Sequence, residues 1–244
     1  MKVRLNSDRR LDLQPSISAV SDLALSEAGR FAGVVTEEFA DKQRFYCRFL
    51  LPASDSVCSG DIVRAGIAVN VEGDRFVAYP YIHRRVCRNG AIRVQDAPGF
   101  SAMRLGVGAR DDEIVSVSEE MRQAIRNAAH PDMFVEFRKR FQSAAQTRAD
   151  RFLNMLPRLS RQRARRRKVT ERAILSEFER VGDESLYGLI NAITATARDT
   201  RDQRVKWQLE CLAGDMAYLV RLPRNLMATK KPCADLNPEV CAVA

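Results

Sequence analysis

A short run of the chain carries a concentration of basic side chains that suits phosphate chemistry. Within fifteen residues, eight basic residues stand against one acid, Glu171, an excess of seven in a chain of net charge +9. This basic segment, residues 158–172, contains Arg158, Arg161, Arg163, Arg165, Arg166, Arg167, Lys168 and Arg172. The planar fork of arginine makes paired hydrogen bonds to phosphate, and several such contacts give strong, salt-sensitive binding. The segment predicts a nucleic-acid contact, although its composition also fits a solvated linker between helices.

One cysteine has neighbours that favour a reactive thiol. Cys87 is flanked by Arg84, Arg85 and Arg88, and nearby positive charge lowers the pKa of a thiol. A nucleophilic cysteine also needs a base. On a strand, His83 would share a face with Cys87 but lie about 13 Å away. A buried structural cysteine is therefore favoured, and catalysis at Cys87 stays open.

The candidates for metal and cofactor chemistry are weak. The acidic run Asp111-Asp112-Glu113 could hold magnesium, but negative charge also suits the first turn of a helix. Zinc sites usually need closely paired ligands, and Cys47, Cys58 and Cys87 are widely spaced. Glycine loops typical of dinucleotide or ATP sites are absent from the sequence. The sequence predicts no metal and no cofactor, and an enzyme centred on Cys87 or the acidic run is the less favoured class.

The composition is that of a globular protein with a basic surface, of one domain or two. Hydrophobic residues make up 45% and charged residues 29% of the 244 residues, and the pI is near 9.6. The N-terminus is charged from Lys2 onward, and the sequence has no apolar stretch long enough for a signal peptide or a membrane span. The six cysteines show no close pairing, which favours reduced thiols. These features predict a cytoplasmic protein with no membrane partner.

The first half of the chain predicts a helix followed by an antiparallel sheet over residues 44–95. The polar stretch Thr36–Gln43 shows no strand pattern, and Pro80 is expected at an edge or a bulge because it lacks an N–H. Asn89-Gly90 signals a chain reversal. The predicted elements are a helix over residues 16–31, a partly exposed strand over 45–50, a loop over 52–60, and strands over 61–71 and 76–79.

The second half has helical periodicity. Ser116 and Glu119 have the spacing of a capping box, and Asp132 can cap a second helix that runs on toward Met155. Three more helices are expected, with breaks at Gly182 and before Pro223. The predicted class is α+β. The expected divisions are a sheet half over 1–110, a helical half over 111–228 and a frayed tail over 229–244.

The turn at Gly182 allows two interpretations. A helix-turn-helix would require the following helix, Leu186–Ala197, to contact base edges, but this helix has no basic side chain before Arg198. Ordinary helix-to-helix packing is therefore favoured. In that case Asn191 and Thr194, one turn apart on a mostly apolar helix, are expected to make a buried polar contact with the sheet half.

Several segments together carry a resemblance to a known family. The stretch 80–92 contains an arginine, one apolar residue and then Cys-X-Asn-Gly. A segment bounded by glycines at 66–73 precedes it, and expected helices at 186–194 and 209–214 follow it. The motif residues are Arg85, Cys87, Asn89, Gly90, Asn191 and Thr194. This order resembles a domain of unknown function found in phage and plasmid-like proteins. The resemblance implies a mobile element in a bacterial host and no defined reaction, and Arg88 departs from the small hydroxyl residue more usual there.

The favoured interpretation is a nucleic-acid-binding protein without sequence specificity, with DNA as the partner and single-stranded DNA as one form of it. The basic segment would contact phosphates together with Arg84 and Arg85, while Tyr79 and Tyr81 would offer stacking surface if exposed. The alternative is an interaction protein of a mobile element, acting in defence or counter-defence, whose basic segment docks an acidic protein. The choice between DNA and RNA, the strandedness and self-association stay open.

Overall fold

One antiparallel sheet carries helices on both of its faces. The computed structural model describes residues 17–40, 44–72, 75–85, 89–94, 103–104, 111–157 and 167–220. The strands are β1 Val34–Ala40, β2 Arg44–Cys58, β3 Asp61–Glu72, β4 Arg75–Arg84, β5 Asn89–Ile92 and β6 Met103–Arg104. The described helices are α1 Ile17–Gly29, α2 Asp111–Ala129, α3 Pro131–Ala145, α4 Asp150–Leu153, α5 Arg167–Val181, α6 Leu186–Arg198 and α7 Gln203–Tyr218.

The sheet follows the order of the chain. Strands β1 to β5 are successive antiparallel neighbours. Strand β4 pairs with β6 at its N-terminal end and with β5 at its C-terminal end. An antiparallel sheet from the first half of the chain and helices from the second confirm the predicted α+β class. Among the described helices, none has the length and apolarity that crossing a membrane requires.

Side chains alternate along β2 and give the sheet two apolar faces. Phe45, Cys47 and Phe49 point to the face that is covered by α1 and α2. Tyr46 and Leu50 point to the other face, here called the α7 face, where Trp207 of α7 packs. A third apolar cluster joins α3, α5, α6 and α7 to residues of β2 to β5. Both faces of the first half of β2 are therefore buried, which corrects the expectation of a partly exposed strand.

Two expectations about strands are wrong. The polar stretch that begins at Thr36 forms most of β1, because an edge strand can keep polar side chains in solvent. The expected loop over 52–60 instead continues β2 as far as Cys58, and its Ser and Asp residues are mainly exposed. Pro80 lies inside β4, between the residues that pair with β6 and those that pair with β5. A third expectation, an edge or a bulge at Pro80, is therefore also wrong: Pro80 pairs with Ile67 of β3 in unbroken register, and its carbonyl accepts a hydrogen bond from the amide of Arg93 on the other side. The missing N–H is tolerated there because β5 has already ended at Ile92.

The helix boundaries also differ from expectation. Helix α2 begins at Asp111 rather than near Ser116, so the acidic run forms its first turn. The N-cap of α3 is His130, whose ring accepts a hydrogen bond from the amide of Asp132, and α3 ends at Ala145. Helix α5 ends before Gly182, which has a φ of 72°. The residues of α6 are almost all buried, which excludes it as a helix that contacts base edges.

Candidate functional site

Most of the basic segment lies outside the described residues. Arg158, Arg161, Arg163, Arg165 and Arg166 all fall there. Arg167 and Lys168 belong to the first turn of α5, and Arg172 is exposed on the same helix. The phosphate contacts expected of this segment stay a prediction.

The motif residues are placed in part. Cys87 lies outside the described residues, so its reactivity also stays a prediction, whereas Asn89 and Gly90 begin β5. The chain does reverse between β4 and β5, but Asn89 and Gly90 are not the turn: they already pair with Arg84 and His83 as the first residues of β5, so the reversal comes before the dipeptide. Thr194 and Asn191 are buried on α6, where the hydroxyl of Thr194 donates to the carbonyl of Asn191 at 3.0 Å.

Arg84 is held by a carboxylate in the protein interior. Its Nε lies 2.7 Å from both carboxylate oxygens of the buried Asp61. The hydroxyl of Tyr187 on α6 donates to the same carboxylate at 2.8 Å. Burial, followed by the charge of Asp61, raises the pKa of Tyr187. These contacts connect the sheet to α6, so Arg84 has a structural partner already.

Tyr79 and Tyr81 do not offer the stacking surface that the sequence suggested. Only 5% of Tyr79 and 4% of Tyr81 is exposed. The ring of Tyr79 lies 6.1 Å from that of Trp207, and both tyrosines belong to the apolar cluster under α7. Their burial removes them as platforms for bases at the surface.

The α7 face contains a cavity where charged side chains from the sheet and two helices converge. Its volume is about 430 Å³. We call it the Arg48 cavity. Its lining residues are Thr36, Glu37, Arg48, Leu50, Tyr81, His83, Arg85, Arg198, Lys206 and Glu210.

Strand register and helix periodicity bring these side chains together. Glu37 and Arg48 are direct cross-strand partners in β1 and β2, next to a bulge in β1. Tyr81 is on β4 and lies on the same face. Lys206 and Glu210 are four residues apart on α7 and so share one side of that helix. The cavity therefore depends on five elements: β1, β2, β4, α6 and α7.

Two glycines make room for the ring of Tyr81 at the cavity wall. Gly66 is the register partner of Tyr81 on β3, and a Cβ there would lie 2.8 Å from the Cδ1 of Tyr81. A Cβ on Gly90 of β5 would lie 2.3 Å from two atoms of the same ring. The ring thus lies across both glycines. Burial raises the pKa of Tyr81 well above its ordinary value.

Arg48 is the buried centre of the cavity. It is 1% exposed and Glu210 is 2% exposed. Its Nε donates to the Oε2 of Glu210 at 2.9 Å, and its Nη2 donates to the same oxygen. Burial is the largest single influence and would lower the pKa of Arg48, but the charges of Glu210, Tyr81 and Glu37 and the hydrogen bonds to Glu210 together outweigh it and raise the pKa. Arg48 therefore stays charged, and its charge opposes the rise that burial causes in the pKa of Glu210.

Glu37 and Lys206 complete a neutral network with this pair. The Nζ of Lys206 lies 2.5 and 2.6 Å from the carboxylate oxygens of Glu37, and the Nη1 of Arg48 lies 3.3 Å from Glu37. Burial would raise the pKa of Glu37, but Arg48 and Lys206 together outweigh it and lower the pKa. Two cations and two carboxylates thus compensate one another, as buried charges require.

The remaining charged lining residues are cationic and exposed. Arg85 follows β4, and Arg198 ends α6 with 42% of its side chain exposed. The Nε of Arg198 also donates to Asp199 at 2.8 Å, outside the lining. Among the described lining residues there are four arginine and lysine side chains and two carboxylates. The cavity has a positive opening, and its chemistry favours an anion.

Sequence reasoning missed this site, although part of its framework was within the motif segments. Gly66, Tyr81, Gly90 and Glu210 each belong to a segment that the resemblance singled out. Gly214 belongs to the last of these segments, and a Cβ there would lie 1.9 Å from the carbonyl oxygen of Ile92, so α7 packs directly on β5. The signal that could have found the site is a lone arginine in an apolar strand and a lone glutamate in an apolar helix, since each needs a buried partner of opposite charge.

Within the described ranges, no three His, Cys, Asp or Glu side chains lie close enough to hold a metal ion. Comparison of the chain with protein-family models, curated proteins and solved structures finds no match.

Proposed function

We propose that this protein binds nucleic acid without sequence specificity, as part of a phage- or plasmid-type process. The observation that carries the proposal is the convergence of Arg85 and Arg198 on an opening whose interior carboxylates are already neutralised. Arg198 is paired with Asp199, so its charge is partly offset, and the charge of Arg85 beside it favours an anion. The resemblance of the motif segments supports the mobile-element setting.

The basic segment supports a polymeric anion rather than a small one. It directly precedes α5 and extends into its first turns, and α5 packs against α6, the helix that ends at Arg198. The pKa of Glu177 on α5 is lowered chiefly by Arg180 and to a smaller extent by the charge of Arg198. Arg198 therefore lies near α5. Basic side chains therefore belong to two helices in mutual contact. A phosphate backbone could follow such a surface over several nucleotides.

The burial of α6 supports the part of the proposal that concerns sequence specificity. A helix that is buried along its length cannot enter a groove, and contacts to phosphates alone carry no base information. A partner bound chiefly through phosphates also gives binding that weakens steeply with salt.

The test is fluorescence anisotropy with single- and double-stranded DNA and RNA oligonucleotides across a salt series. We expect binding at low salt whose dependence on log salt becomes shallower when Arg163, Arg165, Arg166 and Arg167 are changed to Ala. Each lost contact should reduce the slope by about 0.7 for a single strand and about 0.9 for a duplex.

A matched control removes four exposed arginines elsewhere. Arg30, Arg148, Arg180 and Arg204 are between 47% and 70% exposed, and each pairs with a carboxylate, which is buried only for Arg30. Their replacement by Ala should change the slope less than the variant in the basic segment. No binding of any oligonucleotide at low salt would contradict the proposal, and a salt-sensitive complex with an acidic protein would then favour the alternative.

A further inference from the structure

The α7 face extends past its buried tyrosines to an exposed end of the sheet. Arg64 of β3 and His83 of β4 are register partners there. The amide of Arg85 donates to the carbonyl of Ile62 at 2.9 Å, so these two residues form the next pair. We call this surface the open end of the α7 face. Its residues, with the partners that β2 supplies, are Ser54, Ser56, Ile62, Arg64, His83 and Arg85.

This surface is open to solvent, unlike the tyrosines beside it. The two serines and Arg85 are exposed, whereas Arg64 and His83 are half-buried. Ile62 is 38% exposed. A ligand can therefore reach these side chains from solvent.

The cations of the open end have no carboxylate partner within the described residues. Arg64 donates to the carbonyl of Leu51 at 3.0 Å, which is a neutral acceptor, and Arg85 forms no ion pair there. The acids of the same strand segments, Asp55 and Asp61, belong to the opposite face, where other arginines pair with them. Two positive charges are thus left on this surface, and they favour an anion.

The four central side chains alternate in kind. Arg64 and Arg85 lie on one diagonal of the block that the two residue pairs form, and the other two side chains lie on the other diagonal. Diagonal neighbours on an antiparallel pair are about 7–8 Å apart. Successive phosphates of a stacked strand advance by about 3.4 Å along its axis, and those of an unstacked strand lie further apart. One extended strand can therefore place neighbouring phosphates at both guanidinium groups.

The second diagonal, Ile62 and His83, distinguishes a single strand from a duplex. The bases of a duplex are stacked on one another, whereas a single strand can turn the faces of its bases toward the protein. The imidazole of His83 offers a flat surface for a base, and the exposed Ile62 offers an apolar one. A duplex would contact the two arginines and leave the second diagonal unused.

We infer that the open end of the α7 face binds single-stranded nucleic acid, with phosphates at Arg64 and Arg85 and the faces of bases against Ile62 and His83. This inference rests on the proposed function and adds to it the form of the nucleic acid and the surface that selects it. The basic segment would add phosphate contacts that single and double strands share.

The experiment measures anisotropy with one DNA sequence as a single strand and as a duplex, at several salt concentrations. The wild-type protein should bind the single strand roughly tenfold more tightly than the duplex at equal salt, a factor that corresponds to about 1.4 kcal/mol. A surface that contacts phosphates alone would favour the duplex, whose charges are denser. In Arg64→Gln/Arg85→Gln, the slope of log affinity against log salt for the single strand should become shallower by about 1.4, because two contacts of about 0.7 each are lost.

The matched control for the charges is Arg148→Gln/Arg204→Gln, which removes two exposed arginines outside the open end. Its slope should stay close to that of the wild-type protein. Ile62→Thr keeps the β-branched shape and should weaken single-strand binding roughly threefold through lost apolar contact, with no change in slope or in duplex binding. Its control, Val34→Thr, removes a valine that is 62% exposed on β1 and should change neither.

Two results would overturn the inference and leave the proposed function standing. One is a duplex that binds the wild-type protein as tightly as the single strand, and the other is an Arg64→Gln/Arg85→Gln variant that behaves like its control. If no oligonucleotide binds at low salt, the proposed function itself fails and the inference falls with it. A complex with polyglutamate that the same variant loses would then assign the surface to an acidic protein.

Photocrosslinking locates the contact without any substitution. Single-stranded DNA that carries 5-iododeoxyuridine is irradiated with the wild-type protein, and the crosslinked peptides are identified by mass spectrometry. Crosslinks within residues 61–64 or 83–85 would support the inference. Crosslinks confined to the basic segment would overturn it.

Discussion

The buried pair of Arg48 and Glu210 gives the sharpest test of the structure. Changing Arg48 to Met keeps an apolar stem of similar length but removes both hydrogen bonds to Glu210. The carboxylate, which is 2% exposed, would then lack its main partner. Removing one member of a buried ion pair typically destabilises a protein by about 3–5 kcal/mol. We expect a loss of that size in the free energy of unfolding of Arg48→Met.

The double variant Arg48→Met/Glu210→Leu should recover most of this loss. Replacing both charges by apolar side chains of similar volume is often neutral or stabilising, because neither charge then has to be desolvated. Glu37 and Lys206 would keep their own contacts at 2.5 and 2.6 Å. The double variant should therefore unfold within about 1 kcal/mol of the wild-type protein.

Urea unfolding followed by tryptophan fluorescence measures these differences directly. Trp207 is the single tryptophan of the chain, and its ring lies 5.8 Å from the guanidinium carbon of Arg48. The signal thus reports on the environment of the pair itself. Exposed ion pairs contribute less than about 1 kcal/mol. If Arg48→Met lowers the free energy of unfolding by no more than that, the buried network is refuted. A double variant that is as unstable as the single one would refute it too.

The pH dependence of Arg48→Met adds a second signature. Without Arg48, burial should raise the pKa of Glu210 further above its ordinary value of 4.5. A carboxyl group with a raised folded-state pKa takes up its proton more readily in the folded protein, so stability rises as the pH falls toward the unfolded value. The deficit relative to the wild-type protein should shrink between pH 7 and pH 5 by at most about 1.4 kcal/mol per pH unit.

Four further variants test other contacts in the structure. In thermal unfolding, Gly214→Ala should destabilise the protein by about 1–3 kcal/mol, because the added methyl group would overpack against β5. Its control is Gly29→Ala, which has open space around the added Cβ and should be neutral or stabilising in that assay. Glu37 has a lowered pKa, so its contribution to stability is full above pH 4.5 and is lost as the pH falls through the folded-state pKa. In Glu37→Gln, the free energy of unfolding should therefore fall less steeply with decreasing pH below pH 4.5 than it does in the wild-type protein. Tyr187→Phe removes the hydroxyl donor to Asp61 and should lower the urea midpoint by an amount equivalent to about 1–2 kcal/mol; an unchanged midpoint would argue against that contact.

Local signals in the sequence were sufficient for much of the fold. The helical spacing over residues 16–31 predicted α1, and Gly182 marked the end of α5, because both depend on neighbours within a few residues. The expected loop over 52–60 was wrong because Ser and Asp are typical of loops but are also tolerated at the exposed end of a long strand. The polar character of β1 likewise concealed an edge strand.

The cavity could not be predicted because its contacts join distant parts of the chain. Arg48 and Glu210 are 162 residues apart, so the alternation around residues 45–50 could not show that the arginine would be buried. Glu37 lay in a stretch without a strand pattern. The sequence singled out Arg85 as a nucleic-acid contact, which stays a prediction, and could not show that it lines the same cavity as Arg198, because that depends on how α6 packs.

The separation of Arg48 from Glu210 along the chain has a consequence for how the site forms. The strands that supply one wall pair with their immediate neighbours in sequence, and such contacts close short loops that form rapidly. The opposite wall belongs to α7, the last of the described elements to leave the ribosome. A nascent chain that ends before α7 therefore holds Arg48 without Glu210, with Glu37 as its nearest carboxylate. In the finished protein, detachment of α7 opens the cavity without requiring the strand pairs to separate, and hydrogen exchange at the amides of α7 would measure how often that happens.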